Sequence, residues 1–309
     1  RIWRKHLPNA LSLKTEEERI GKMHIKDKFR KGKTVFSFEI FPPKKTSPIE
    51  TIYNTLEQLG DLKPDFISVT YSAGGGGAAQ TSCEIASRIK NTYGIEAMAH
   101  LTCLNNSKEE VRAILQELRN NHVENILALR GDRNPDIPPK MDFCHASDLV
   151  RFIRECDQGF GISGACYPEV HMESKDGVED ILNLRKKVEM GAQHLITQLF
   201  FDNQSFYRFR ERCQIAGINV PIEAGIMPVV NRKQIERMVS ISGAGLPVKF
   251  TKIMQKYGEN PEAMRDAGIA YAVDQIVDLI SNGVDGIHLY TMNNPYVARR
   301  ISESIKTLL

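Results

Sequence analysis

The stretch FSFEIFPP, residues 36–43, predicts the first strand of a sheet that is covered on both faces. Its three Phe residues and Ile40 are typical of a buried strand, and the two prolines end it. Glu39 is the exception, because an unpaired charge in an apolar interior is costly or is neutralised through a shifted pKa. Two interpretations fit this carboxylate: a structural ion pair with a later Arg or Lys, or a group kept for function.

The rest of the chain repeats the same unit, a short apolar run followed by an amphipathic stretch. The runs predicted as strands lie near 35–41, 66–71, 96–103, 125–130, 161–167, 194–201, 220–227 and 286–292. The stretches predicted as helices lie near 48–60, 80–93, 107–121, 146–157, 176–190, 203–216, 231–242, 262–282 and 295–308. Eight such units indicate an α/β protein with a single (β/α)8 TIM barrel. A doubly wound open sheet is the alternative, but no GxGxxG follows the first strand.

Composition and charge indicate one large domain with a basic extension. The chain has 309 residues, 41% of them hydrophobic, which suffices for one large core. We expect the barrel over residues 34–309 and a flexible extension over 1–33, in which Met23 is a candidate for the natural start. The extension holds 11 Lys and Arg against 4 Asp and Glu, so the barrel itself is mildly acidic and nucleic-acid binding is not expected.

Two further features of the composition point to a cytoplasmic protein that does not enter a membrane. No apolar run reaches the ~18 residues that a membrane-spanning helix needs. The six cysteines form no CxxC pair, and scattered cysteines of this kind are typical of a reduced compartment.

Polar residues end at least seven of the eight predicted strands, on the rim where barrels of this type carry their active sites. They are Glu39, Thr70, Tyr71, His100, Thr102, Arg130, Gly131, Asp132, Tyr167, His171, Gln198, Tyr290 and Thr291. Taken singly, His100 could be a hydrogen-bonded histidine of the core, and Gln198 could be a residue that hydrogen-bonds to a neighbouring backbone group. Their convergence on one rim favours a functional site. The set lacks the density of histidine and carboxylate ligands that holds a metal strongly, so no metal is expected.

A loop and a helix add features suited to a long ligand. The glycine-rich segment SAGGGGAAQT, residues 72–81, follows the second strand and allows close approach of the backbone to a flat or phosphorylated ligand. Asp180, Asn183, Lys186 and Lys187 share one side of a predicted helix. That stripe is either a solvated face or a site where a carboxylate meets ribose hydroxyls and ammonium groups meet phosphates.

Motifs spread over residues 34–309 carry a resemblance to a known family. They are FSFEIFPP, PDFISVTYSAGG, AHLTC, ILALRGD, ASDLV, YPEVH, DILNLRKKV, ITQLFFD, GIMPV and HLYTMN. On these motifs the chain resembles the bacterial type of methylenetetrahydrofolate reductase, a family of FAD-dependent barrels. The resemblance implies reduction of 5,10-methylenetetrahydrofolate to 5-methyltetrahydrofolate, with hydride supplied by reduced FAD.

The resemblance also implies a role for the rim residues. Glu39 is expected to be the general acid that opens the five-membered ring of the folate, with its pKa raised by burial among Phe side chains. FAD is expected to contact Thr70, Tyr71, Ala73, His100, Arg130, Gly131, Asp132, Ala146, Tyr167 and His171. Its adenosine and diphosphate end is expected on Asp180, Asn183, Lys186 and Lys187. The folate is expected on Asp132, Gln198 and Gln234, the last shared with the electron donor.

The resemblance leaves several questions open. Met238 stands where the family pattern has a Phe, and Asn294 stands where it has an Arg, so contacts to the donor and the folate tail differ. The donor is NADH, NADPH or a ferredoxin-linked partner subunit, and a homo-oligomer is expected. One rival is another FAD barrel, such as a proline dehydrogenase-like oxidoreductase, which needs no Glu on the first strand. The other is a catalytically silent folate-binding subunit, which has no reason to keep Glu39 and Asp132.

Overall fold

Eight parallel strands close into a barrel in the computed structural model, which describes residues 23–43, 46–71, 78–133 and 138–309. Each strand pairs with its neighbour in sequence, and the last pairs with the first, with Val35 opposite Gly286 and Glu39 opposite Tyr290. The strands are β1 Val35–Ile40, β2 Phe66–Val69, β3 Glu96–Thr102, β4 Asn125–Leu129, β5 Gly161–Cys166, β6 His194–Thr197, β7 Ile222–Ile226 and β8 Gly286–Tyr290. The predicted (β/α)8 barrel is confirmed, and the open sheet is wrong.

Helices cover the outside of the barrel. They are α1 Glu50–Gly60, α2 Ala78–Asn91, α3 Lys108–Asn120, α4 Ala146–Cys156, α5 Gly177–Glu189, α6 Asn203–Ile215, α7 Arg232–Ser242, α8 Val248–Tyr257, α9 Pro261–Ser281 and α10 Pro295–Ile305. The sequence analysis does not predict α8, although Phe250, Ile253 and Met254 recur at a spacing typical of one helix face. Phe250 stacks on Phe201 with ring centroids 5.3 Å apart and meets Tyr271 edge to face at 4.9 Å, while Ile253 and Met254 pack on the same apolar cluster.

Strand alternation divides the interior into two zones. Phe36, Phe38 and Ile40 of β1 point outward and join the core between the sheet and the helices, where they are at most 4% exposed. The intervening residues Ser37 and Glu39 point into the barrel, as the period of two requires. The strands also end one to four residues earlier than predicted, so several predicted rim residues lie in the loops that follow the strands.

Part of the expected extension packs against the N-terminal end of the barrel. Ile25, in a 3-10 turn over Ile25–Lys28, is 1% exposed and contacts the apolar residues at the bottom of the barrel interior. Its backbone N–H donates to Asn125 Oδ1 at 2.9 Å, and Asn125 Nδ2 donates to the Met23 carbonyl at 3.0 Å. The expected boundary at residue 34 therefore cuts through a packed region, since Ile25 and Phe29 form the floor of the barrel. Among the helices of the described ranges, none has both the length and the apolar character needed to cross a bilayer.

Candidate active site

Glu39 lies inside the barrel near its C-terminal rim, with a side chain that is 20% exposed. Its Oε2 atom is 3.5 Å from His100 Nε2 and 3.6 Å from His288 Nε2. Thr291 holds the backbone here, because its N–H and its hydroxyl donate to the Glu39 carbonyl at 3.2 and 2.7 Å. Within the described part of the chain no Lys or Arg pairs with this carboxylate.

The surroundings of Glu39 differ from the expectation of burial among Phe side chains. The Phe rings of β1 lie on the opposite face of the sheet, toward the helices. The imidazoles of His100 on β3 and His288 on β8 lie beside the carboxylate instead. The expectation treated sequence neighbours as spatial neighbours, and the alternation of the strand makes that wrong.

His100 is a neutral imidazole with an unused nitrogen. Its side chain is buried, and its Nε2 atom forms no hydrogen bond with any described residue. Burial is the main cause that lowers the pKa of His100 to about 4, with the nearby His288 acting in the same direction. A neutral imidazole next to Glu39 can donate a hydrogen bond to a ligand or accept one from it. It does not attract the Glu39 carboxylate as a cation would.

One cleft on the C-terminal rim collects many of the residues predicted to bind a cofactor. It has a volume of about 280 Å3 and lies at the C-terminal ends of β4 and β5, against the starts of α4 and α5. Eight of the predicted residues line it: Arg130, Ala146, Tyr167, His171, Asp180, Asn183, Lys186 and Lys187. The four-residue stripe on α5 thus faces a cavity, and a purely solvated face does not describe it.

Lys187 is the most enclosed cation of the cleft. Its Nζ atom donates to the Ala165 carbonyl at 2.6 Å, and burial lowers the pKa of its ammonium group. Its stem passes directly over Gly164, where a Cβ atom would lie 2.7 Å from Lys187 Cδ. Gly164 is therefore what allows the lysine to reach the end of β5. Among the described residues the ammonium group has one acceptor, and its other N–H bonds can bind an anionic ligand.

Arg130 is held by a carboxylate on the next loop. Its guanidinium forms a two-pronged ion pair with Glu173, in which Nη2 donates to Oε1 at 2.8 Å. The hydrogen bonds from Arg130 lower the pKa of Glu173 to about 2. Gly131 follows with a φ of +89°, and a Cβ atom there would lie 3.1 Å from Thr102 Cβ, so this turn requires glycine.

Tyr167 and His171 meet edge to face above β5, with ring centroids 4.6 Å apart and an interplanar angle of 85°. Burial is the main cause that raises the pKa of Tyr167 to about 12, and Asp132 contributes in the same direction. The phenol is therefore a neutral hydrogen-bond donor at physiological pH. Both rings line the cleft together with the α5 stripe.

The other predicted residues of the described ranges are not among those that line this cleft. The Thr70 carbonyl accepts a hydrogen bond from Ser82 Oγ at 2.9 Å, and Tyr71 contacts Asn106 through its hydroxyl at 3.4 Å. Asp132 is exposed after β4, while Gln198 is half-buried after β6 and accepts from the Leu199 N–H at 2.9 Å. Gln234 is half-buried in the first turn of α7. Ala73 lies outside the described residues.

The two departures from the family pattern have structural roles here. Asn294 is the N-cap of α10, and its Oδ1 accepts from the Val297 N–H at 3.2 Å. Met238 is half-buried and packs on the apolar cluster that contains Phe201 and Phe250. Neither contact requires a ligand.

Sequence reasoning missed the polar residues one layer below the rim. Ser37, Ser68, His288 and Glu223 are fully buried inside the barrel, and the first three contact one another through the His288 ring. The signal that would have found them is position, since Ser37, Ser68 and His288 each stand two residues before a rim residue on the same strand. No group of three or more metal-type ligands occurs within the described ranges.

A closed parallel barrel with a carboxylate, imidazoles and cations on its C-terminal rim defines a barrel protein that binds its ligand across the strand ends. Residues 24–306 match the model of the methylenetetrahydrofolate reductase family. The chain belongs to this family, which confirms the resemblance seen in its motifs.

Two relatives show how far the similarity extends. The 5,10-methylenetetrahydrofolate reductase of Escherichia coli (strain K12) is 39% identical over 275 residues, which cover 89% of this chain and 91% of that protein. Methylenetetrahydrofolate reductase (NADH) 1 of Arabidopsis thaliana is 37% identical over 283 residues, which cover 87% of this chain and 48% of the plant protein.

Solved structures confirm the fold. A Clostridium thermocellum protein that binds two copies of 5-methyl-5,6,7,8-tetrahydrofolic acid has a TM-score of 0.60 and 14% identity, covering 89% of this chain and 95% of that chain. Dihydropteroate synthase from Thermus thermophilus has a TM-score of 0.51 and 10% identity, covering 90% of this chain and 95% of that chain. At these identities the likeness concerns the barrel alone.

Proposed function

We propose that the protein reduces 5,10-methylenetetrahydrofolate to 5-methyltetrahydrofolate, with FAD as its bound cofactor and a reduced nicotinamide as electron donor. The observation that carries this proposal is the Glu39 carboxylate, which stands at the rim of a barrel of this family without a Lys or Arg partner among the described residues. The names of the bacterial relatives support the substrate, and the name of the plant relative supports a nicotinamide donor.

The residues of the cleft fit FAD. Lys186, Lys187 and Arg130 supply cations for a diphosphate, and Asp180 supplies a carboxylate for ribose hydroxyls. His100 offers a buried Nε2 atom that has no hydrogen-bond partner among the described residues. When bound, FAD supplies the hydride that the reduction consumes.

The protein itself contributes the proton that opens the folate ring, and Glu39 delivers it. The Glu39 carboxyl O–H bond breaks as a ring nitrogen of the folate takes the proton, and the adjacent ring C–N bond then breaks to give an iminium carbon. Burial lowers the pKa of His100, so this imidazole places no cation beside Glu39 at neutral pH. The two hydrogen bonds from Thr291 fix the backbone from which the acid projects.

Replacement of Glu39 by Gln tests this proposal, since Gln keeps the shape and removes the proton. We expect FAD content and flavin reduction by the donor to stay within a few-fold of the wild type. Reoxidation by methylenetetrahydrofolate should slow by ~10²–10⁴, the usual effect of losing a positioned acid. Stopped-flow absorbance of the flavin measures the two half-reactions separately.

Glu96 provides a matched control at the opposite end of the barrel. It is a buried carboxylate with a structural partner, Lys90, whose Nζ is 2.5 Å away. Glu96→Gln should lower the melting temperature and leave the ratio of the two half-reactions unchanged. If Glu39→Gln behaves like Glu96→Gln, or if reoxidation is unaffected, Glu39 is not the acid. A protein that takes up no FAD would instead favour a silent folate-binding subunit.

A further inference from the structure

The loop after β5 carries two residues of the cleft on a backbone that is unfavourable by itself. Tyr167 and His171 lie at the two ends of this loop, and both line the cleft. Between them Val170 has a φ of +54°, in the left-handed region that β-branched residues rarely adopt. Such a conformation persists only where the surrounding contacts impose it. The contacts of this loop therefore determine where the two aromatic rings stand.

Glu169 makes contacts that fix the loop. Its Oε2 atom accepts a hydrogen bond from the Gly245 N–H at 2.8 Å, and its Oε1 atom accepts from Ser205 Oγ at 3.2 Å. Arg212 Nη2 donates to the neighbouring Pro168 carbonyl at 3.2 Å. Ser205 and Arg212 are seven residues apart on α6, so one face of that helix holds the loop from one side. Gly245 holds it from another.

The two donors that Glu169 binds are uncharged, one a hydroxyl and the other a backbone N–H. Balancing a cation is therefore not what these contacts require of the side chain. They require two hydrogen-bonding atoms at a fixed distance from the backbone of the loop. The role of Glu169 is thus one of geometry, and it connects two segments that are far apart in sequence.

Gly245 belongs to the segment that follows α7, so Glu169 connects the cleft to that helix. The left-handed Gly243, with a φ of +70°, caps α7 two residues earlier. Met172 makes a second contact here, because a Cβ atom on Gly243 would lie 3.3 Å from Met172 Cγ. The first turn of α7 carries Gln234, the predicted contact for the folate and the electron donor. The loop of the cleft and the helix of the substrate contact therefore meet.

We propose that Glu169 is a positioning residue that couples the cofactor cleft to α7. Its backbone carries the loop that presents Tyr167 and His171, and its carboxylate holds the segment that follows α7. This inference rests on the proposed function, in which FAD occupies the cleft and the folate and the donor contact Gln234 in turn. The described side chains of α7 are not among those that line the cleft, so we expect α7 to respond to FAD through the loop.

Three substitutions of Glu169 separate the geometry of the side chain from its charge. Glu169→Gln keeps both contacts, because its amide oxygen can accept from the Gly245 N–H while its amide nitrogen donates to Ser205 Oγ. Glu169→Ala removes both. Glu169→Asp keeps the charge but withdraws the carboxylate by one methylene, which lengthens both contacts. We therefore expect Gln, and not Asp, to preserve the wild-type behaviour.

Asp157 provides a matched control at the opposite end of β5. It also accepts from one backbone N–H, that of Gly159 at 2.7 Å, and from one side chain, Arg119 Nε at 3.0 Å. It precedes β5, and it is not among the residues that line the cleft. Asp157→Ala should lower the melting temperature and leave the coupling between the cleft and α7 unchanged.

The first readout is amide hydrogen exchange in the FAD-free and FAD-loaded proteins. In the wild type, FAD should slow exchange in peptides that cover residues 232–243 by about threefold or more, because the ordered loop also orders α7. In Glu169→Ala and Glu169→Asp this slowing should be absent at saturating FAD. Glu169→Gln and Asp157→Ala should respond as the wild type does. A merely structural loss would speed exchange equally with and without FAD.

The second readout is steady-state kinetics of the FAD-loaded protein. The KM for methylenetetrahydrofolate should rise about tenfold in Glu169→Ala while kcat stays within about threefold, since a displaced α7 removes binding and leaves Glu39 in place. Glu169→Gln should restore the wild-type KM. Should Glu169→Ala fail to fold, Glu169→Asp and the wild-type exchange comparison test the coupling without it.

A wild-type protein that takes up FAD without slower exchange in α7 would overturn the coupling and leave the proposed function intact. FAD-dependent slowing that persists in Glu169→Asp and is lost in Glu169→Gln would also overturn it, because charge would then matter and hydrogen-bond geometry would not. A wild-type protein that takes up no FAD would overturn the proposed function, and this inference with it. Uptake and exchange are measured separately, so these failures are distinguishable.

Discussion

Replacement of Lys187 by Met tests whether the cleft on α5 holds the diphosphate of FAD. Met keeps an unbranched stem over Gly164 and removes the ammonium group that now donates to the Ala165 carbonyl at 2.6 Å. Because burial lowers the pKa of this ammonium group, the free protein holds the charge at a cost that a phosphate would relieve. We therefore expect Lys187 to matter for FAD affinity more than for folding.

The expected magnitude follows from the enclosure of Lys187. A hydrogen bond between charged groups contributes ~1.5–3 kcal/mol when solvent is excluded, so the dissociation constant for FAD should rise about 10- to 100-fold in Lys187→Met. The melting temperature without FAD should stay the same or rise, since an enclosed cation is removed. Lys186 is the matched control, because it lines the same cleft but is exposed. Lys186→Met should raise the dissociation constant for FAD by no more than about fivefold, because solvent screens an exposed charge.

Fluorescence titration of the apoprotein with FAD measures both dissociation constants, and melting curves verify folding. Gly164→Ala supplies a third arm, since a Cβ atom 2.7 Å from Lys187 Cδ displaces the lysine without removing its charge. We expect Gly164→Ala to raise the dissociation constant for FAD by about as much as Lys187→Met does. An unchanged dissociation constant in Lys187→Met, or a larger loss in Lys186→Met, would refute the role given to the enclosed ammonium group.

Two further predictions concern stability. Burial lowers the pKa of His100 from 6.5 to about 4, so between these values the unfolded chain binds a proton that the folded protein does not. The free energy of unfolding should therefore fall by about 3 kcal/mol as pH decreases across that window, and His100→Gln should flatten this dependence in urea titrations at several pH values. Ile25→Ala should lower the free energy of unfolding by ~2–5 kcal/mol, because Ile25 is buried. Met23→Ala, at an exposed neighbouring position, should change this free energy by less than ~0.5 kcal/mol. Equal effects of the two substitutions would mean that Ile25 does not support the floor of the barrel.

The fold was accessible from sequence because each strand of a covered parallel sheet is apolar along its whole length. Runs such as those around Phe66 and Ile126 stand out between amphipathic stretches, and their number and spacing already indicate the barrel. The α5 stripe was accessible for a similar reason, since residues three and four apart share a helix face. Helix α8 is absent from the prediction although Phe250, Ile253 and Met254 share one of its faces.

Contacts between distant loops were beyond the reach of local patterns. The ion pair of Arg130 and Glu173 joins two loops 43 positions apart, and nothing in either segment marks its partner. The packing of Ile25 under the barrel is of the same kind, because its contacts come from strands that begin at least ten residues later. In both cases the pairing depends on how the barrel closes, which short-range periodicity does not encode.

The environment of Glu39 shows why a site can be located from sequence while its chemistry is misjudged. The residues next to Glu39 in sequence, Phe38 and Ile40, point to the helices, so they say nothing about the medium around the carboxylate. That medium is supplied by the inward positions of other strands, with His100 from β3 and His288 from β8. In a closed barrel the neighbours of a rim residue are therefore the inward residues at the same height on adjacent strands. Supporting groups lie two residues earlier on the same strands, where Ser37 contacts both His288 and Glu223.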